Sequence, residues 1–186
     1  TNYPILTKDF SSIRMLWVRS FSNIYNPKLA IDILKGLQDK GLQATLCMIG
    51  PEKDGSLSEA KQYGTSLGLD VRFKGKLSKQ EWIEVSKDYN IFINTTNFDN
   101  MPVSVIEAMA LGLPVVSTDV GGLPFLIDNN KDGILIEPNN SELFVTAIKE
   151  LSVKPELTNT MIWSARKKVE QFDWEIVKKQ WNKLLV

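Results

Sequence analysis

Apolar positions recur along this chain in two alternating patterns. Short, mostly apolar runs at residues 14–18, 43–49, 71–73, 90–94, 115–116 and 134–136 predict strands, most of them buried on both faces. Helical spacing fills the gaps between them. From Pro27, Ala30, Ile33, Leu34 and Leu37 recur at i, i+3, i+4 and i+7, and Gly41 ends that helix. A more polar helix is predicted from Ser56 to about Leu67, another from Ser78 to about Lys87, and a short one over 103–111. After a brief helix near 125–127 and a turn at 128–133, Asn139 stands three residues before Glu142, a capping-box spacing. The helix it opens has Phe144, Ala147, Ile148 and Leu151 on its core face, and two more helices follow at about 156–171 and 174–185. Residues 1–12 read as a polar lead-in. Strands alternating with helices make βαβ units. The predicted fold class is therefore α/β: a Rossmann-like parallel sheet of about six strands with helices on both faces. The segments 19–28, 75–77, 95–101 and 118–122 all follow strands, so they should share the carboxyl rim of the sheet, where such folds bind ligands.

Composition narrows the function classes. The chain of 186 residues is read as one domain, 1–186, long enough for a good core. Lys plus Arg equals Asp plus Glu at 22 each, so no net field draws the protein to nucleic acid or to an anionic membrane. It has no His, which removes a His base, a His triad and most zinc sites. No apolar run approaches a membrane span. Cys47 is the only cysteine, so no internal disulfide exists and a reducing compartment fits. No secretory leader pattern precedes the first strand, though the chain begins at Thr1 rather than Met. The expected location is cytoplasmic. The loop from Trp17 to Pro27 lacks Gly-x-Gly-x-x-Gly, which argues against a dinucleotide dehydrogenase.

The chemistry concentrates between Asn94 and Pro124. Pro102 suits the first turn of a helix, where a missing N–H is harmless. The helix 103–111 is apolar almost all round, so it should be buried. Glu107 interrupts it, and a buried carboxylate needs a partner. Eight residues earlier, Asp99 lies in the loop before the helix. Loop amides and the helix N-terminus together make an anion site. Gly121–Gly122 permits tight backbone beside the strand ends. The set suggests a ligand carrying phosphate together with hydroxyls for the carboxylates. Plainer readings stand beside this one. Glu107 could belong to a structural ion pair, and Asp99 to a turn or a cap. Gly50–Pro51 reads as a turn near the rim and no more. Four of the five Trp fall in or beside helices and read as core or interface anchors rather than sugar platforms.

The run from Asp99 to Val116, DNMPVSVIEAMALGLPVV, with the Gly-Gly turn after it, resembles the donor-site signature of the family 4 (group 1) retaining glycosyltransferases of the GT-B fold. That signature has two Glu eight apart; here the first is Asp99. The resemblance covers nearly the whole chain. It implies the C-terminal, donor-binding half of such an enzyme, with an N-terminal acceptor domain outside this chain. The implied function is transfer of a sugar from a nucleoside diphosphate sugar, with retention and without a metal or other cofactor. The acceptor would be a glycan or lipid-linked group met through the other domain, in cell-surface polysaccharide or glycoconjugate synthesis. The resemblance assigns Glu107 to the ribose, Asp99 to the donor sugar, and the amides of Asn100, Met101, Pro102 and Val103 to the line of sugar and phosphates, although Pro102 itself has none to give. It assigns Arg19 and Lys28 to the diphosphate, Gly75, Lys76 and Leu77 to the nucleobase, and Gly121 and Gly122 to the donor's edge. The Gly usually found before the Arg is absent, and the spacing to Lys28 is stretched. Two other classes remain: a non-catalytic nucleotide-sugar-binding module, and a nucleotide-sugar epimerase of related fold. Lys167, Lys168, Lys178, Lys179 and Lys183 make the C-terminal helices basic; a solvated face is the default, and peripheral membrane contact the sharper alternative.

Overall fold

A computed structural model describes residues 3–184. In chain order the elements are β1 (Ile13–Val18), α1 (Pro27–Asp39), β2 (Ala44–Ile49), α2 (Ser56–Ser66), β3 (Val71–Gly75), α3 (Lys79–Ser86), β4 (Ile91–Asn94), α4 (Val103–Ala110), β5 (Val115–Thr118), α5 (Leu123–Leu126), β6 (Ile134–Ile136), α6 (Ser141–Val153), α7 (Pro155–Val169) and α8 (Trp174–Leu184). The six strands are all parallel, in the order β3-β2-β1-β4-β5-β6. Alternate residues serve opposite faces. Met15, Trp17, Leu46, Met48, Ile91, Ile93 and Val116 join a core with α1, α2 and α6. Leu16, Cys47, Ile49, Phe92 and Val115 join a second core with α3, α4, α5 and α7. This is why the central strands are apolar throughout.

Local chemistry sets the helix starts. Asn26, at φ 47°, accepts the Leu29 N–H with its side chain, and Pro27 opens α1. Ser78 and Glu81 form a reciprocal capping box on α3. On α6 the cap is Asn140, which accepts from Leu143 N, and not the expected Asn139. The side-chain oxygen of Asn139 is taken instead by Asn26 Nδ2 at 2.9 Å. Pro102 precedes α4 as its cap rather than standing within its first turn. Nor is α4 buried all round. Val105, Ala108, Met109 and Ala110 are buried, while Val103 is exposed and Ile106 and Glu107 are half-buried. The helix predicted at 156–171 starts one residue earlier and passes at Val169 into a 3₁₀ turn, Glu170–Phe172. The last helix is described to Leu184, so the predicted end at Leu185 falls outside the described residues.

The lead-in is not merely polar. Tyr3 packs on the second core, and Ile5 lies against Gly112, whose φ of +72° suits a residue without Cβ. Lys8 donates to the Tyr89 carbonyl at 2.9 Å. Asn90 Nδ2 donates to the Asp9 and Ser12 carbonyls. Burial, with Arg14 nearby, brings the Lys8 pKa down to about 8. The folded chain therefore binds fewer protons than the unfolded chain between about pH 8 and 10, so stability rises with pH there. Urea titrations should show the wild type gaining on Lys8→Met across that window; parallel curves would mean the amine is not desolvated.

Arg166 is a second tie. From α7 it donates to the carbonyl of Ala110 at the end of α4 and to that of Tyr3, and it pairs with Glu170. By contrast α8 buries none of its described residues. Trp174, Trp181 and Leu184 are exposed on it. Among the described residues, no helix is long and apolar enough to cross a membrane.

Candidate functional site

From β1 the chain winds outward to β2 and β3, then returns to lay β4 on the other side of β1. The loops after β1 and β4 diverge at that junction and leave a crevice at the carboxyl ends of the strands. Arg19 directly follows β1, and Asp99 lies in the loop after β4. The two side chains meet across the crevice as an ion pair, with 12% and 17% exposure. The Arg19 guanidinium lies over the Tyr25 ring, 4.0 Å from its centroid. Burial draws the Arg19 pKa below its ordinary value while Tyr25 pulls it back; an arginine stays charged regardless.

Buried hydrogen bonds build the walls of the crevice. The Thr95 hydroxyl accepts from the Trp17 indole at 3.0 Å and lies within donating distance of the Tyr25 and Asn26 carbonyls, at 3.0 and 2.9 Å. Asn97 N–H donates to the Ile24 carbonyl, and the Thr118 hydroxyl to the Thr96 carbonyl. The Gly-Gly turn after β5 presses on the β4 loop. A Cβ on Gly121 would sit 2.0 Å from the Asp99 carbonyl oxygen, and one on Gly122 would sit 1.8 Å from that of Asn100. Gly122 N–H donates to the Asp99 carbonyl at 2.8 Å. Both glycines are there because backbone lies against backbone. Gly50 is more than the rim turn its sequence suggested: a Cβ there would reach the Arg19 carbonyl at 1.7 Å.

Glu107 is 21% exposed, and its partner is Lys79, at the start of α3, 2.8 Å away. Lys79 is 55% exposed and has its pKa raised, first through its hydrogen bond to Glu107. An ion pair this open is worth roughly 0–1 kcal/mol, too little to account for a carboxylate set beside Ala108 and Met109. Three buried side-chain polar atoms lack a partner among the described residues: Arg19 Nε, Asn94 Oδ1 and Ser104 Oγ. Asn94 ends β4 and Ser104 stands in the first turn of α4, so all three belong to this rim. Native proteins satisfy nearly all such atoms, so these three are hydrogen-bonding capacity left over at the rim.

Beside Arg19 a shallow cleft of about 250 Å³ is lined by Gly50, Lys76, Leu77 and Trp82 among others. Gly75, at φ +65°, accepts from Gly50 N–H and so ties the β3 loop to the β2 loop. Lys28 does not join Arg19. It is the second residue of α1, and its ammonium pairs with Glu59 on α2 at 2.8 Å with both groups half exposed. Sequence reasoning passed over Tyr25, Lys79, Asn94 and Ser104. Only Tyr25 carried a signal, as an aromatic in a polar loop. Among the described residues no group of three or more metal-ligating side chains occurs.

Comparison with known proteins gives the family and agrees with the fold. The family model described as glycosyl transferases group 1 matches residues 5–168. The sulfoquinovosyl transferase SQD2 of Arabidopsis thaliana is 29% identical over 148 residues, which are 78% of this chain and 28% of that protein. The structure of Anabaena Alr3699/HepE in complex with UDP-glucose superposes with a TM-score of 0.84 at 22% identity, covering 94% of this chain and 48% of that one. The C-terminal domain of a group 1 family protein, LpcC, from Francisella tularensis aligns with a TM-score of 0.74 at 19% identity over 85% of each chain. The chain spans well under half the length of the curated relative and about half that of the first solved structure.

Proposed function

The chain belongs to the group 1 glycosyl transferases, and on that footing we propose that it is the donor-binding domain of a retaining, metal-independent enzyme that transfers sugar from a nucleoside diphosphate sugar. The observation that carries this is that Arg19 Nε, Asn94 Oδ1 and Ser104 Oγ, buried and without a partner among the described residues, belong to the segment after β1, to the end of β4 and to the first turn of α4, the helix that carries Glu107. The diphosphate lies against Arg19 and the amide end of α4, which together meet its charge as it leaves. The ribose hydroxyls donate to Glu107, displacing a weakly held Lys79. The base occupies the cleft of Leu77 and Trp82 beside Gly75 and Lys76. As the diphosphate takes over Arg19, the Asp99 carboxylate turns to the donor sugar. The work is positioning and charge stabilisation rather than covalent catalysis. Metal independence is supported by the two carboxylates assigned to the donor, which already face cations: Asp99 with Arg19, and Glu107 with Lys79. The acceptor, a glycan or lipid-linked group in cell-surface polymer synthesis, is held by a second domain, so this chain alone binds donor but turns over slowly.

Calorimetric titration with UDP, GDP and ADP tests the reading. One diphosphate should bind in preference to the others, with UDP first because the similar HepE structure holds UDP-glucose. Binding of none would reject it. The engagement of Asp99 with Arg19 favours a binding-only module as the second reading; product formed by the full-length protein would reject that one.

A further inference from the structure

The donor reading requires Arg19 to trade one anion, the Asp99 carboxylate, for another, the diphosphate. An arginine that changes counter-ion without losing its place must be held by something other than either anion. Tyr25 is the group available. Its ring centroid lies 4.0 Å from Arg19 Cζ, and the guanidinium is largely out of water, where a cation over an aromatic face is at its strongest. The stem of Arg19 is fixed as well: its N–H donates to the Ile49 carbonyl at 3.0 Å, and Gly50 lies against its own carbonyl. The platform is itself anchored. Tyr25 ends a 3₁₀ turn, Asn23–Tyr25, and its carbonyl lies 3.0 Å from the Thr95 hydroxyl, which holds the Trp17 indole in the core. Lys28 does not share the task in this structure, because it pairs with Glu59.

We infer that Tyr25 is the positioning residue for Arg19: its ring face keeps the guanidinium plane aimed at the diphosphate while the counter-ion changes from Asp99 to substrate. The inference rests on the donor reading above. Tyr25 acts through Arg19 by its ring face, with its side-chain hydrogen bond to the guanidinium as a smaller second hold. It also follows that nucleotide and nucleotide sugar depend on Tyr25 alike, since they share the diphosphate.

The test is calorimetry on this chain with three matched pairs: UDP and UDP-glucose, GDP and GDP-mannose, ADP and ADP-glucose. The pair that the wild type binds most tightly is carried into the variants Tyr25→Phe, Tyr25→Leu, Arg19→Ala and Arg19→Ala/Tyr25→Leu. Tyr25→Phe, which keeps the ring face and loses the hydroxyl, should lose clearly less than Tyr25→Leu, which should lose about tenfold for both members of the pair. The double variant should bind no worse than Arg19→Ala, because the ring has nothing left to hold. Titrations are run well below each variant's melting temperature, so a role confined to packing would leave affinity unchanged. Wild-type affinity in Tyr25→Leu, a Phe variant as weak as the Leu variant, or losses that add in the double variant would each overturn the inference while leaving the donor reading intact. A wild type that binds none of the six overturns both.

Discussion

Glu107→Ala should cost nucleotide binding about a hundredfold or more while leaving the melting temperature at or above that of wild type. The two halves of this expectation come from the same geometry. A carboxylate that accepts from two vicinal hydroxyls makes charge-assisted bonds, each worth roughly 1.5–3 kcal/mol, so losing both removes two or more orders of magnitude in affinity. Stability has little to lose. Among the described residues the ion-pair partner of Glu107 is the open Lys79, and Ala is the best helix former to place between Ile106 and Ala108. Glu107→Gln keeps the volume and one acceptor, so it should fall between. A structural carboxylate would give the opposite pattern: a lower melting temperature with affinity unchanged. Calorimetry and thermal denaturation on the same preparations separate the two.

Gly122→Ala should damage both the fold and the site. Its φ of −88° suits alanine, so no backbone strain is involved. The obstacle is contact: the new methyl would lie 1.8 Å from the Asn100 carbonyl oxygen and 3.0 Å from Asn100 Cα. Both are backbone atoms, so no rotamer relieves the clash and the loop must move. That movement strains the 2.8 Å bond from Gly122 N–H to the Asp99 carbonyl and pulls Asp99 from Arg19. Overpacking of this kind costs about 1–3 kcal/mol, and displacing the rim by an ångström should weaken nucleotide binding roughly tenfold or more. Gly68→Ala is the control. Its φ of +69° strains alanine by about 1 kcal/mol, but nothing lies within 4 Å of the new methyl, so stability should drop slightly and binding should not change. Equal behaviour of the two variants would mean the Gly-Gly turn does not support the rim.

The sheet was legible because each of its central strands is buried on both faces. The runs around Leu16, Met48 and Phe92 are apolar without alternation, and the helices between them carry their own period. Glu107 was legible because a carboxylate in an apolar helix is conspicuous. What was hidden depends on pairing across the fold. Arg19 and Asp99 are 80 residues apart and meet only because β4 returns beside β1. Tyr25 shows its use only once the ring is seen beneath Arg19. The resemblance assigned Lys28 to the diphosphate; that it pairs with Glu59 on α2 shows only once α1 is seen to start at Asn26 and Pro27. Asn139 had the right spacing for a cap, but its oxygen is taken by Asn26 from the β1 loop, a contact between residues 113 apart.

One rim, joined at the β1–β4 junction, is expected to hold the donor. Amide chemical-shift mapping on titration with the tightest-binding nucleoside diphosphate tests it most directly. The expected shifts fall at Arg19 to Asn26, Gly75 to Leu77, Asn94 to Ser104 and Gly121 to Leu123, and they fade in Glu107→Ala. Shifts centred instead on the groove between α6 and α7, around Leu151 and Met161, or shifts indifferent to Glu107, would contradict it.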